Sequence, residues 1–335
     1  MVTIRDVAAR ANVSVTTVSR VLNNKPDVSE ATKRRVKKAI EELGYKPSGL
    51  ARGLVLQKTN SIGLIIPDIS NPFFPAIVKG IERRAKELGY SLLLCTTDND
   101  KQEETEALAL LRSKQVDGII LSFSLQSQEA LLELEKQGFP IVQIDRQVKK
   151  SGYPAVTIDN QKSAFKATEF LINQGHTKIG HVTGDLNVET ALQRLDGFRL
   201  ALKKHGVEYR EDWVLPGDFG RETGKACMER FIAMSERPTA IFFANDLMAV
   251  GAYEAIFNHG LNIPEDFSII GHDNIDVASV IKPGLTTMEQ PQYRLGQIAA
   301  EKLIGMIEGK QDSPAQTVVL ESDLVVRESV KQIAP

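Results

Sequence analysis

From Asn60 onward, short apolar runs alternate with amphipathic stretches of helical period: SIGLIIPD, SLLLCTTD, VDGIILSFS, PIVQIDR, KIGHVTGD, AIFFAND and FSIIGHDN. No other feature constrains the fold as much. Uninterrupted apolar runs of this length suit strands buried on both faces, and the helices between them must cover a parallel sheet. There are too many runs for one modest sheet, so the pattern predicts an α/β body of two similar doubly wound lobes. The chain is expected to cross between lobes near Asp159, between Pro283 and Gln290, and between Val319 and Val326. That puts about residues 60–158 and 290–318 in lobe 1, and about residues 159–285 and 319–335 in lobe 2.

Several of these runs end in polar groups, and ligands of such sheets bind beyond the carboxyl ends of the strands. DISNPFF places Asn71, Phe73 and Phe74 there, QIDR places Asp145 and Arg146, FFAND places Asn245 and Asp246, and GHDN places Asp273 and Asn274. Gln290 follows LTTMEQ, Arg194 lies in QRLDGF near a helix start, and Phe219 follows VLPGD. Carboxylates and guanidinium groups bind adjacent hydroxyls in pairs, and amides both donate and accept. Aromatic faces suit the C–H side of a sugar ring in a concave pocket. Each residue also has a plainer reading: strand-end Asp and Asn cap helices, and Phe73 or Phe74 fits a core. As a set they point to a ligand pocket.

The first 58 residues read differently. They hold 12 Lys and Arg against 5 Asp and Glu, a net of +7, while the remainder carries −9 within a total of −2. A small basic head on an acidic body points to a polyanion partner for the head. Thr3 and Asp6 have the spacing of a helix-opening box, and Ile4, Val7, Ala8 and Ala11 follow on one face. Ser14 suits the cap of a second helix, with Val15, Val18 and Leu22 inward and Thr16, Thr17 and Arg20 outward. A third helix is expected from Ser29 to Gly44, burying Val36, Ala39, Ile40 and Leu43. Three such helices make a helix-turn-helix unit whose second helix enters the major groove. Thr16 and Thr17 suit base edges and thymine methyls there, and Arg20 suits guanine or a phosphate.

VTIRDVAARANVSVTTVSRVLN followed by ELGYKPSGLARGL resembles the DNA-binding head and hinge of the lactose/galactose repressor family, and the resemblance runs through the whole chain. It implies a helix-turn-helix domain over 1–46, a hinge over 47–59, and an effector-binding and dimerisation body over 60–335 with the periplasmic sugar-binding fold. The implied DNA contacts are Thr3, Ser14, Thr16, Thr17, Arg20 and Asn23 in the head, and Ala51, Arg52 and Leu54 in the hinge. In such relatives the hinge folds into a helix only on DNA, and a leucine matching Leu54 wedges into the minor groove. Pro47, Gly49 and Gly53 suit a segment marginal as an isolated helix. The resemblance also implies a homodimer on a near-palindromic operator. No leucine-heptad tail precedes Pro335, so a lac-repressor-like tetramer is not expected.

Asp145–Arg146 together with Phe73, Phe74, Asn245, Asp273 and Gln290 is similar to ribose-binding relatives. A purine-responsive member would be expected to carry an aromatic residue where Arg146 stands. The family also has a branch controlled by a phosphorylated phosphocarrier protein, which stays open as an alternative.

Other classes find little support. The chain lacks a G-x-G-x-x-G after a strand, a phosphate loop, a G-x-S-x-G elbow and an H-E-x-x-H pair, so no enzyme is expected. The five histidines have no metal-ligand spacing, and His272 reads as a neutral neighbour of the site. Cys95 and Cys227 are the only cysteines, which fits a reducing cytoplasm without a disulfide framework or zinc site. No apolar run reaches the ~18 residues of a membrane span, and MVTIRDVAAR lacks the apolar core of a signal peptide. Neither cofactor nor metal is expected.

Overall fold

The computed structural model describes residues 2–22, 26–45, 58–122, 128–148, 151–310 and 316–333. The chain forms two compact units, Met1–Thr59 and Asn60–Pro335.

The first unit contains α1 (Ile4–Ala11), α2 (Val15–Leu22) and α3 (Glu30–Leu43). The Asp6 carboxylate accepts from both the Thr3 backbone N–H and the Thr3 hydroxyl, each at 2.8 Å, fixing the start of α1. Asn12 ends it in the left-handed region at φ 49°. Two residues later the Ser14 hydroxyl accepts the Thr17 N–H at 3.0 Å and opens α2. Val7, Ala8, Ala11, Val18, Val21, Val28, Val36 and Ala39 form the core between the helices. One expectation is corrected here. Val15 is 41 % exposed, and Val21 is buried in its place. The apolar stripe of α2 begins one turn later than the valine spacing suggests, because the core reaches only Val18, Val21 and Leu22.

The second unit holds two six-stranded sheets. The first comprises β1 (Ser61–Ile66), β2 (Ser91–Thr96), β3 (Gly118–Leu121), β4 (Ile141–Ile144), β5 (Ala155–Ile158) and β11 (Val318–Leu320), in the order β11-β5-β4-β3-β1-β2. All its pairings are parallel. The second comprises β6 (Ile179–Val182), β7 (Val214–Leu215), β8 (Ala240–Phe243), β9 (Ser268–Asp273), β10 (Thr286–Glu289) and β12 (Asp323–Val325), in the order β12-β10-β9-β8-β6-β7. Only β12 runs antiparallel, against β10. β1, β3, β4, β8 and β9 are almost wholly buried, which is why they read as unbroken apolar runs.

Helices cover both faces of each sheet. On the first, α4 (Phe73–Glu87) and α12 (Gln292–Ile307) cover one face, and α5 (Lys101–Ser113) with α6 (Gln128–Lys136) the other. On the second, α9 (Arg221–Ala233) and α10 (Asp246–Asn258) oppose α7 (Asn160–Asn173) and α8 (Glu189–His205). The short α11 (Asp276–Val280) follows β9. Among the described residues no helix is long and apolar enough to cross a membrane.

The crossings fall at three places: Ile158 to Asn160, Glu289 to Gln292, and Leu320 to Asp323. The expected lobe limits are corrected at two of them. β10 pairs with β9, Thr286 to Ile270, so lobe 2 extends to Glu289. β11 pairs with β5, Val318 to Val156, so lobe 1 extends to Leu320. In both cases the strand's hydrogen-bonded partner decides its lobe, and an apolar run alone does not name that partner.

Two helix pairs pack through reciprocal glycines. A Cβ on Gly80 would lie 2.2 Å from the Tyr293 carbonyl oxygen, and one on Gly296 would lie 2.2 Å from that of Ile77. In the other lobe a Cβ on Gly224 would lie 2.1 Å from the Met248 carbonyl oxygen, and one on Gly251 would lie 2.0 Å from that of Arg221. Since backbone rather than a flexible side chain occupies the space, Gly296→Ala and Gly251→Ala should each destabilise the body by about 1–3 kcal/mol through overpacking. Thermal unfolding of the two variants checks this; unchanged midpoints would mean the helices separate freely.

Candidate functional site

Between the two lobes, beyond the carboxyl ends of their strands, lies a cleft with about 630 Å³ of empty volume including its mouth. Ten of the twelve residues singled out for it line it: Asn71, Phe73, Phe74, Asp145, Arg146, Arg194, Phe219, Asn245, Asp273 and Gln290. The other two turn away from it, Asp246 accepting from the Thr287 hydroxyl and the Ile275 N–H, and Asn274 accepting from Arg327. Asn99, Thr190, Asp218 and Leu247 also line the cleft, unforeseen. The rule of polar strand ends reaches Asn99, which follows β2 in TTDND, and Asp218 directly precedes Phe219. Thr190, in the first turn of α8, carries no such signal.

The plainer readings hold as well, without excluding a place in the cleft. Asn245 caps α10, its Oδ1 accepting the Met248 N–H at 3.0 Å, while its Nδ2 donates to the Phe219 carbonyl at 3.0 Å. Asn71 Oδ1 accepts the Phe73 N–H at 3.1 Å. Phe73 and Phe74 belong to the core of lobe 1, edge to face at 5.1 Å, and still present atoms to the cleft.

The loops that carry these groups are strained. Asn99, Asp145, Phe219 and Asp273 take positive φ values of 61°, 63°, 70° and 121°. Non-glycine residues in this region cost free energy and concentrate at functional sites. At Asp145 and Asp273 the turn ends a strand and leaves the carboxylate in the cleft.

Four buried charges face one another. Arg146 Nε lies 3.8 Å from Asp145 Oδ2, and Arg194 Nη1 lies 3.9 Å from Asp273 Oδ1. Both separations exceed hydrogen-bonding distance. The guanidinium groups are instead steadied elsewhere. Arg146 Nη1 donates to Asn99 Oδ1 at 2.5 Å; Arg194 donates from Nε to Asn160 Oδ1 at 2.9 Å and from Nη1 to the Ala244 carbonyl at 2.5 Å. Arg146 Nε and Gln290 Oε1 are buried and make no hydrogen bond among the described residues. Buried polar atoms normally have partners, so this donor and this acceptor suit a polar ligand.

Burial pushes the Asp145 carboxyl up to about 6, against the opposing pull of Arg146 and Arg194. It pushes Asp273 up to about 6 against the pull of Arg194 and the Gln290 hydrogen bond. Asp246, behind Asp273, is raised to about 7 by burial and by the neighbouring Asp273 charge. Carboxyls raised on folding stabilise the ligand-free body fully only below their ordinary range near 4, and this contribution is lost as pH rises through about 6. Ionised carboxylates, in contrast, accept hydroxyl protons better than neutral ones.

In the head, Thr3, Ser14, Val15, Thr16 and Arg20 are exposed and Thr17 is half-buried. The Ser14 hydroxyl also meets the Thr17 hydroxyl at 2.8 Å. Arg20 Nη1 pairs with Asp27 at 2.9 Å, both half-exposed, so a base or phosphate would have to compete only with a weak surface pair. Val15 adds an apolar group to the hydroxyl-bearing first turn; its expected place in the core had hidden it. Asn23, Ala51, Arg52 and Leu54 lie outside the described residues.

Comparison with known proteins matches both units to one family. The family described as bacterial regulatory proteins, lacI family, matches residues 3–48. That described as periplasmic binding proteins and sugar binding domain of LacI family matches residues 59–324. An HTH-type transcriptional repressor PurR from Aliivibrio salmonicida is 38% identical over 334 residues, 99% of this chain and 100% of that protein. The lac repressor dimer bound to operator and the anti-inducer ONPF superposes with a TM-score of 0.89 at 28% identity, covering 98% of this chain and 99% of the other. A LacI family transcriptional regulator from Enterococcus faecium with bound ribose has a TM-score of 0.74 at 32% identity, covering 82% and 100%. With its helix-turn-helix head and two-lobed body, the chain belongs to the LacI family of DNA-binding transcriptional repressors.

Proposed function

We propose that the repressor is controlled by a neutral sugar of the pentose or hexose class, bound between the lobes of a homodimer. The observation that carries this reading is the paired set of buried charges, Asp145–Arg146 from lobe 1 and Arg194–Asp273 from lobe 2, held just too far apart to bond each other. Hydroxyls donate to carboxylates and accept from guanidinium groups, so a polyol bridges both pairs. Phe73, Phe74 and Phe219 supply apolar faces for its C–H side. The ribose-bound Enterococcus faecium regulator supports the same class. The DNA contacts proposed are those of the head and hinge named above, Leu54 among them.

A purine is the second reading, favoured by the PurR relatives and by the three phenylalanine rings. Each sugar hydroxyl can donate to a carboxylate and accept from a guanidinium at once, which the separate N–H donors and N or O acceptors of a purine cannot, and Arg146 stands where an aromatic partner for a purine ring would serve better.

A thermal-shift screen over D-ribose, other pentoses, hexoses, hypoxanthine and guanine separates these readings. A ligand at 100 times its dissociation constant stabilises by about 2.7 kcal/mol. Shifts from purines alone would overturn the sugar assignment. The pH dependence is a further check. The ligand-free body should unfold at a higher temperature near pH 5 than near pH 7.5, while the sugar-induced shift should be larger near pH 7.5, where Asp145 and Asp273 are ionised.

A further inference from the structure

Behind Asp273 lies a polar chain that no direct contact with a cleft ligand explains. His272 is fully buried. Its Nδ1 lies 3.2 Å from Asp273 Oδ1, and its Nε2 lies 2.8 Å from the hydroxyl of Ser163 in the first turn of α7. Ser163 is buried too. The spacing is that of a Ser–His–Asp triad, yet Ser163 lines a separate, small cavity beside Val319 and Ser322 and not the cleft, so the array offers no nucleophile to a cleft ligand.

The partners decide the imidazole's proton. Burial and the Arg194 charge hold His272 neutral, well below its usual range. A neutral ring has one N–H and one bare nitrogen. Were Nδ1 bare, it would face the Asp273 carboxylate, acceptor against acceptor. The Gln290 amide nitrogen has two N–H groups: one donates to Asp273 Oδ1 at 2.7 Å, and the other could reach a bare Nδ1 only at 3.4 Å, beyond the range of a good hydrogen bond. With the proton on Nδ1, the ring donates to Asp273 and Nε2 accepts from the Ser163 hydroxyl, so every atom of the chain is matched. Facing this array are Arg194 from α8 and Asp246 from the start of α10, beside the Gln290 amide.

We propose that His272 is a positioning residue for effector binding: held as the neutral Nδ1–H tautomer by Ser163, it fixes the Asp273 carboxylate as an acceptor for effector hydroxyls. Ser163 sets the tautomer, and Gln290 supplies the second donor to the same oxygen. The link to an effector rests on the sugar reading above; the tautomer does not.

Two measurements separate the ideas. Histidine-selective ¹⁵N spectra of the ligand-free full-length protein should show His272 with Nδ1 protonated and Nε2 bare, and Ser163→Ala should mix the tautomers. A parent protein protonated at Nε2 overturns the proposal, whatever the ligand. In calorimetry with D-ribose, His272→Phe should bind roughly 10- to 100-fold more weakly, while His272→Asn, whose amide N–H takes the place of Nδ1–H, should stay within a few-fold of the parent. Equal affinities for parent, Asn and Phe overturn the positioning role. If the parent does not bind ribose, the Asp273 carboxyl titration decides instead. Its midpoint should rise in His272→Phe but not in His272→Asn, and an unchanged midpoint in both refutes the proposal without any ligand.

Discussion

Deletion of residues 1–59 is expected to abolish binding to duplex DNA while leaving a folded body that still binds its effector. The first unit packs around its own small core and carries the basic excess, +7 over residues 1–58, whereas the rest of the chain is net −9 and repels phosphate. For the full-length protein, log affinity for an operator should fall linearly with log salt, with a slope near −0.9 per phosphate neutralised. Thr16→Ala and Arg20→Ala should relax preference at particular base pairs, each lost base contact costing about 1–3 kcal/mol. Mobility-shift titrations at several salt concentrations check all three. A truncated body that still bound duplex DNA would move the nucleic-acid site out of the head.

Asp273→Asn and Arg146→Ala should bind operator as the parent does and fail to answer the effector. Asp273 ends a strand of lobe 2 and Arg146 follows a strand of lobe 1, so a sugar touching both ties the lobes together. A ligand shifts a conformational equilibrium only by its differential affinity for the two states. Losing one charged hydrogen-bond partner costs about 1.5–3 kcal/mol of that affinity. If the sugar is an inducer, these variants repress permanently; if it is a corepressor, they fail to repress. Calorimetry beside an operator-binding assay separates the two activities. Unchanged sugar affinity in both variants would relocate the pocket.

Much of this arrangement is legible in the sequence because burial leaves a direct imprint there. Strands enclosed by helices on both sides have to be apolar throughout, as in SIGLII and AIFF, and the polar residues that end them have to be at the sheet's carboxyl edge. That logic gathers Asp145, Asn245 and Asp273 without knowledge of their partners. It does not reach Thr190, whose helix is brought to the cleft by the turn after β6, or Val15, whose apolar character fits a core as well as an exposed turn. Nor does it assign β10 and β11, since an apolar run does not name its hydrogen-bonded partner, which is the nearby β9 for β10, Ile270 for Thr286, and the distant β5 for β11, Val156 for Val318.

The reciprocal glycines that let backbone touch backbone, at Gly80 with Gly296 and at Gly224 with Gly251, bear on how a signal could travel. Helices in such close contact have few alternative packings, since tightly packed interiors shift between discrete arrangements rather than deform smoothly. Each lobe is thereby stiffened, and the three short crossings become the compliant parts. Strain introduced by a small molecule at the cleft then has little room to dissipate within a lobe and goes into the angle between lobes. A bulkier residue at Gly296 or Gly251 would loosen the gearing as well as the fold: the effector would still bind, but less of its binding energy would reach the operator.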